Sequence, residues 1–324
     1  MGRKIGKKLI LLGMMMFLLS IAVFCLARQA PGDPLQSFYG DALERMADWE
    51  KEAARERLGL NDSISVQYAR WLFRAFQGDL GLSLRYKMPV LDVIAPLIGN
   101  TLLLGTLAYL TVFALAVILA CVCVLYEDRL LDRFICRLGT VFYYIPGFWL
   151  GVVLVLIFGV NLGWLPSSGA YDIGKQEDLA NRIQHLILPL TVMLASHLWY
   201  YAYMIRNKLS EELQKDYVLF AKSKGCTCWE TLWKHCLRNI APAIVSLMAI
   251  SVPHITGGTV VAESVFNYPG IGNMAVESAK YHDYNLLMAD VLITGLVVFA
   301  GSFIAQAANE VIDPRMRETG EIKW

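Results

Sequence analysis

The sequence predicts an all-α polytopic membrane protein with six transmembrane helices. Of its 324 residues, 56% are hydrophobic, and mean hydropathy is +0.47. Several apolar runs reach the ~20 residues that cross a hydrocarbon core of ~30 Å. A soluble domain of this length would have nowhere to bury them. The net charge of +1, with no long basic run, gives no footing for a nucleic-acid partner.

The first run, residues 9–26, follows Arg3, Lys4, Lys7 and Lys8. It is long for the apolar region of a signal peptide and reaches Arg28 without a small-x-small cleavage site, so it reads as a retained span with the N-terminus inside. Further runs cover residues 101–126, 138–162, 185–205, 240–261 and 286–308, which places both termini in the cytoplasm. Lysine and arginine test this order. The segments placed inside hold seventeen: four before Leu9, three in 127–137, seven in 206–238 and three after Ala308. The two short outer loops hold three, Lys175, Arg182 and Lys280. Such a bias sets orientation, and the long outer segment, with the other nine, is exempt because long loops translocate largely regardless of charge. Pro146, Pro189 and Pro253 fall within spans and predict kinks relieved by neighbouring helices.

The outer segment divides into helices. Leu43, Met46, Ala47, Ala54 and Leu58 share one helical face amid charged residues, predicting an amphipathic surface helix. A second helix is expected over 66–76, closed by Gly78 and leading into Gly81, Pro89 and Pro96; together they would form a small cap outside the membrane. Cysteine usage argues against an extracellular disulfide framework, because Cys25, Cys121 and Cys123 lie in spans and Cys136, Cys226, Cys228 and Cys236 at or near the inner face. Cys226, Cys228, His235 and Cys236 are soft metal ligands close in sequence, but C-x-C lacks the C-x2-C spacing of common zinc loops. They are read as small apolar residues, and no metal is assigned.

The chain is organised around the charged island at 216–242 between the fourth and fifth spans. Leu213, Tyr217 and Phe220 recur at i, i+4 and i+7 and so are expected on one helical face. Gly225 breaks the run, and Thr227 with Glu230 forms a capping box for a second helix. The expectation is helix, hinge, helix. Taken by pattern alone, this could equally be a solvated loop.

Enzyme motifs fail on inspection. Gly270, Gly272 and Ala275 fit a loose G-x-G-x-x-A, but no strand precedes them, and no P-loop occurs anywhere. The chain therefore has no ATP site of that kind. Gly81-Leu82-Ser83-Leu84-Arg85 misses the second glycine of a nucleophile elbow, and no H-E-x-x-H appears. Near the end of the fifth span, Glu263 lies close to Gly257 and Gly258. An acidic group there is either functional or a helix-end carboxylate at the interface. The glycines, with Gly270 and Gly272, allow close helix contact and tight turns, so a gate in this segment is expected. His197 and His254, inside predicted spans, read as packed, hydrogen-bonded histidines rather than ligands.

The island resembles the EAA loop of the membrane subunits of ABC importers, in the form carried by the dipeptide, oligopeptide and nickel permeases. The matching residues are Asp216, Tyr217, Val218, Ala221, Lys224, Gly225, His235, Leu237, Arg238, Asn239 and Pro242. Pro31-Gly32-Asp33-Pro34, Gln67-Tyr68, Gly78-Asp79-Leu80-Gly81, and Pro89-Val90 to Thr101 agree in order with the same family. So do the run from Gly257 to Phe266, Pro269-Gly270-Ile271-Gly272, and the closing Asp313-Pro314-Arg315. Asp216 with Tyr217 replaces the generic opening E-A-A, and the pair Cys226 and Cys228 departs from the usual hinge.

The resemblance implies a type I ABC importer permease, multi-pass in a bacterial-type cell membrane. Its organisation would be a first span at 1–28, a cap at 29–100, a core at 101–312 with the coupling loop at 206–239, and a tail at 313–324. It further implies a second homologous permease, two ATPase subunits that hold ATP and magnesium, an external solute-binding protein, and no cofactor on this chain. Tyr217, Phe220 and Ala221 would fill a groove on the ATPase, with Asp216 and the lysines at its rim. Gly257, Gly258, Glu263, Phe266, Pro269, Gly270 and Gly272 would form the gate. The cargo would be a peptide, nickel or a metal chelate. The alternative is a stand-alone channel or ion-driven carrier, which would need no docking loop; a membrane enzyme is a third reading.

Overall fold

A computed structural model of the protein describes residues 2–29 and 33–312. Pro31, Gly32, the tail at 313–324 and its Asp313-Pro314-Arg315 lie outside the described residues. The described chain is helical, with a lone bridge between Leu82 and Pro89 and no strand. Five helices are long and apolar enough to cross a membrane: Leu9–Gln29, Val90–Leu125, Leu179–Leu213, Cys228–Val265 and Tyr284–Ala305. A bent pair, Leu130–Tyr144 with Gly147–Asn161, supplies a sixth if taken as one span.

That pair bears out the kink expected at Pro146 and makes it a break in the span expected at 138–162. The two halves meet at 97°. Pro146 cannot continue the preceding helix and forces Ile145 out of the helical region, to φ −76° and ψ 123°. Pro189 and Pro253, by contrast, sit inside unbroken helices.

The chain forms two compact units. The first comprises Met1–Thr101 and Pro269–Phe299. In it lie α1 (Gly2–Gln29), α2 (Pro34–Tyr39), a 3-10 turn (Gly40–Arg45), α3 (Asp48–Arg57), α4 (Ile64–Phe76), the start of α5 (Val90–Leu125), α12 (Ile271–Lys280) and most of α13 (Tyr284–Ile312). The amphipathic helix expected from Leu43 to Leu58 is thus two pieces. Ala47 is extended, and the Glu50 carboxylate accepts from its N–H at 2.8 Å, so the helix restarts at Asp48. Buried Asp283 pins the turn before α5 to the start of α13, accepting from Ser83 Oγ at 2.5 Å and Arg85 N at 3.1 Å.

The second unit comprises Leu102–Tyr268 and Ala300–Trp324. It holds the rest of α5, α6 (Leu130–Tyr144), α7 (Gly147–Leu154) with a π turn (Val155–Asn161), α8 (Leu179–Leu213), α9 (Asp216–Ser223), α10 (Cys228–Thr231), a π turn (Leu232–Cys236) and α11 (Leu237–Val265). α8 is its centre and packs against α6, α7 and α11. One hydrophobic core runs without interruption from Val218, Leu232 and Cys236 through Leu209, Ile205 and Tyr201 to Ile255, Phe266 and Tyr268. The island is therefore part of the folded core and not a loose loop.

Candidate functional site

α8 ends at Leu213 and Lys215 is extended, so α9 starts afresh at Asp216. Gly225 takes φ +86°, a left-handed conformation that costs a side chain strain. Its N–H donates to the Lys222 carbonyl at 2.9 Å, and Cys226 N to the Ala221 carbonyl at 3.2 Å, closing α9. Thr227 Oγ1 then accepts from Glu230 N at 3.2 Å while Glu230 Oε2 accepts from Thr227 N at 3.1 Å. Helix, hinge and capped helix stand where the sequence places them.

The inward face differs from the one expected. Leu213 and Tyr217 pack on the core, but Phe220 is 61% exposed. Val218, 0% exposed, and Ala221 face the core instead, so Ala221 is not free to fill a groove on another protein. The reason lies within α9: Tyr217 is at the edge of the buried arc formed by Val218 and Ala221, and Phe220, at i+3, lies on its far side. Outward stand Leu219, Phe220, Trp229 and Trp233, the two indoles stacked with centroids 6.2 Å apart. Lys224 Nζ lies 4.4 Å from the Phe220 ring, and Asp216, Gly225, His235 and Arg238 are exposed.

A residue that sequence reasoning passed over holds this element together. Glu212, buried at the end of α8, accepts from Tyr217 Oη at 2.9 Å and Asn239 Nδ2 at 3.2 Å and pairs with Lys215 at 2.5 Å. One carboxylate thereby ties α8, α9 and α11. Burial, then the neighbouring Cys236 sulfur and Glu212 carboxylate, push the Tyr217 hydroxyl well above the usual phenol range, so it stays a donor. The only sequence cue was the Glu211-Glu212 pair ahead of the island.

A second polar knot lies nearby on α6 and α8. Arg206, counted above as a loop charge, is engaged: its Nη2 and Nε donate to Asp132 at 2.9 and 3.2 Å. The soft ligands are not gathered as the metal idea requires, since Cys236 faces the core while Cys228 is exposed. Among the described residues, Cys123, Asp132 and Cys136 come together instead, within 4.8 Å. Arg206 already occupies the only carboxylate among them.

The gate residues divide between the units. In the second unit, Glu263 is 0% exposed on α11, and its carbonyl accepts from Tyr268 N at 2.8 Å as the chain turns at Asn267, φ +43°. Phe266 is buried, and its carbonyl accepts from Gly169 N at 3.0 Å, which fastens the loop before α8 to the end of α11. Burial pushes the Tyr268 hydroxyl up to about 12, with Arg182 opposing and Glu263 adding to the shift. In the first unit, Asn100 Nδ2 donates to the Pro269 carbonyl at 2.9 Å, and Ile271 N to Thr101 Oγ1 at 2.9 Å. Gly272 is buried there, while Gly270 has φ −135°, a conformation open to any residue. The left-handed turn expected of a glycine is made by Asn267.

Gly257 and Gly258 are likewise unequal. A Cβ on Gly258 would lie 2.5 Å from His197 Cε1, whereas one on Gly257 meets nothing within 4 Å. The His197 ring is held, with Nδ1 2.9 Å from the Met193 carbonyl and the His254 ring 5.3 Å away. The two histidines are neighbours rather than isolated core residues. Gly258→Ala should therefore cost about 1–3 kcal/mol as an overpacked contact, while Gly257→Ala should be neutral or stabilising by up to ~1 kcal/mol. Thermal unfolding of the two variants in detergent separates them, and equal shifts would remove the His197 contact as the cause.

Residues 98–318 match the family described as binding-protein-dependent transport system inner membrane component. The chain is 32% identical to the oligopeptide transport system permease protein AppB of Bacillus subtilis, over 92% of this chain and 94% of that one. It is 31% identical to a probable peptide ABC transporter permease protein of Sinorhizobium fredii, over 98% of this chain and 100% of the relative. Among solved structures, an inward-facing form of the MetNI methionine ABC transporter matches with a TM-score of 0.51 at 17% identity, over 67% of this chain and 96% of that one. That likeness concerns the fold.

Proposed function

The chain belongs to the binding-protein-dependent transport system inner membrane components, and from that membership we propose that it is a permease subunit of an ATP-driven peptide importer. Its partners would be a second homologous permease, two ATPase subunits and an external solute-binding protein. Peptide cargo, rather than nickel or a metal chelate, is supported by relatives named for oligopeptide and peptide transport. The N- and C-termini would lie in the cytoplasm, as the charge bias requires.

One observation carries the coupling role: α9 and α10 form a rigid element, knotted to the span core through Glu212, that still presents Leu219, Phe220, Trp229 and Trp233 outward. Exposed aromatic residues on a fixed scaffold are suited to anchor a partner, with Asp216, Lys224, His235 and Arg238 at the rim setting orientation. Nucleotide-driven movement of the partner would pass through Val218, Leu232 and Cys236 into the core that ends at Phe266. The gate would then lie in the segment that carries Gly257, Gly258, Glu263, Phe266, Pro269, Gly270 and Gly272. ATP and magnesium would sit on the ATPase subunits, and this chain would hydrolyse nothing itself.

The test is ATP-dependent peptide uptake by the full assembly in vesicles. Phe220→Asp with Trp233→Asp should lower uptake by more than tenfold, about 1.4 kcal/mol or more of docking free energy, while membrane insertion persists. Peptide transport by this chain alone, without ATPase subunits, would favour the stand-alone carrier and sink the proposal.

A further inference from the structure

A cavity of about 210 Å³ opens within the first unit, and its wall is rich in arginine: Arg28, Arg57, Arg70 and Arg74, against Asp79 as the acidic residue among its described lining. Arg70 is neutralised by Asp62 at 2.8 Å, and Asp79 Oδ1 accepts from Gly81 N at 2.8 Å within its own turn. Among the described residues, no ion pair engages Arg28, Arg57 or Arg74. The cavity therefore carries an excess of positive charge.

Independent of charge, the wall holds donors with nothing to donate to. Trp71 lines the cavity and is 8% exposed, and its indole Nε1 is buried without a partner, as is Nε of Arg28. A buried donor left unpaired costs about 1–3 kcal/mol, so such a pair marks a place shaped for an acceptor. The Arg28 guanidinium is held over the rings of Phe24 at 5.3 Å and Tyr284 at 4.8 Å, fixed in place but not neutralised. Gln67 Oε1, on the same wall, is a buried acceptor without a donor while its Nε2 is spent on the Leu60 and Asp62 carbonyls. The guest that answers all of these is an anion with several acceptor oxygens and a hydroxyl.

Position narrows the class. Arg28 lies in the last turn of the first candidate span, Leu9–Gln29, so the cavity opens at the edge of the hydrocarbon layer. We propose that the cavity binds the phosphodiester headgroup of an anionic glycerophospholipid, with Arg28, Arg57 and Arg74 on the phosphate, Trp71 Nε1 as a further donor and Gln67 on a headgroup hydroxyl. The site uses only the assignment of α1 as a span and stands apart from cargo and coupling.

Native mass spectrometry of the full chain, released from micelles holding equal phosphatidylglycerol and phosphatidylcholine, tests it. Wild type should retain phosphatidylglycerol in at least fivefold excess. Arg28→Gln with Arg74→Gln should bring the ratio near one, Trp71→Phe should lower it two- to threefold while keeping the bulk of the ring, and Lys51→Gln should leave it unchanged. Equal retention of both lipids by wild type, or an excess that survives Arg28→Gln with Arg74→Gln, overturns the proposal. Inorganic phosphate at millimolar concentration should fail to displace the lipid; displacement would reassign the cavity to a free phosphate and overturn the lipid.

Discussion

Arg206→Ala is expected to destabilise the protein by about 3–5 kcal/mol, the cost of leaving a buried carboxylate without its cation. The Asp132 side chain is 5% exposed and accepts, besides the two guanidinium bonds, the Asp128 N–H at 3.2 Å and the Cys136 thiol at 3.5 Å. These partners fix its position but carry no positive charge. Arg206→Lys should recover part of the loss, because an ammonium cannot make the two parallel bonds that Nη2 and Nε make. The double variant Arg206→Met with Asp132→Leu should be close to wild type, since removing both charges removes the desolvation cost with the attraction. A double-mutant cycle on unfolding in detergent measures this. If Arg206→Ala is as benign as the double variant, the pair is a surface contact and the α6 to α8 tie lies elsewhere.

The same residue shows where sequence reading stops. Arg206 was legible as a charge, and by its sign it contributed to the inside-outside count, but its partner lies on another helix and no local pattern joins them. Glu212 is the same case, since a carboxylate near a helix end reads as solvated until Tyr217 and Asn239 fold onto it. The hinge was legible because its chemistry is local: a glycine that stops one helix, and a threonine and glutamate three residues apart that start the next. The inward face of α9 was misread because i, i+3 spacing groups Tyr217 with Phe220, whereas the buried arc runs through Val218 and Ala221 with Tyr217 at its edge. Hydropathy found the third span and Pro146 marked its kink, but the size of the bend was not legible, because neither apolar character nor a proline fixes the angle at which the two halves meet. Gly257 and Gly258 were equal as letters, and only the approach of His197 distinguishes them.

Gly225→Pro is expected to abolish coupled uptake, by more than tenfold, in a chain that still inserts and folds. Proline is fixed near φ −65°, and position 225 needs +86°. The substitution also deletes the N–H that bonds to the Lys222 carbonyl, so the closure of α9 is lost together with its direction toward α10. The core contacts of Val218, Leu232 and Cys236 lie on either side of the hinge and should keep both helices attached, which is why the fold survives while the outward face is re-aimed. Gly225→Ala makes a graded control: it keeps the N–H and bears only the left-handed strain of about 1–2 kcal/mol, so it should lose less. Glu212→Gln reaches the same lever from the other end, keeping an acceptor for Tyr217 but losing the charge that holds Lys215. ATP hydrolysis and peptide uptake, followed together in reconstituted vesicles, distinguish a re-aimed lever from a broken protein, because the former leaves hydrolysis running without transport. A Gly225→Pro protein that imports peptide at the wild-type rate would mean that force reaches the spans by some route other than α9 and α10.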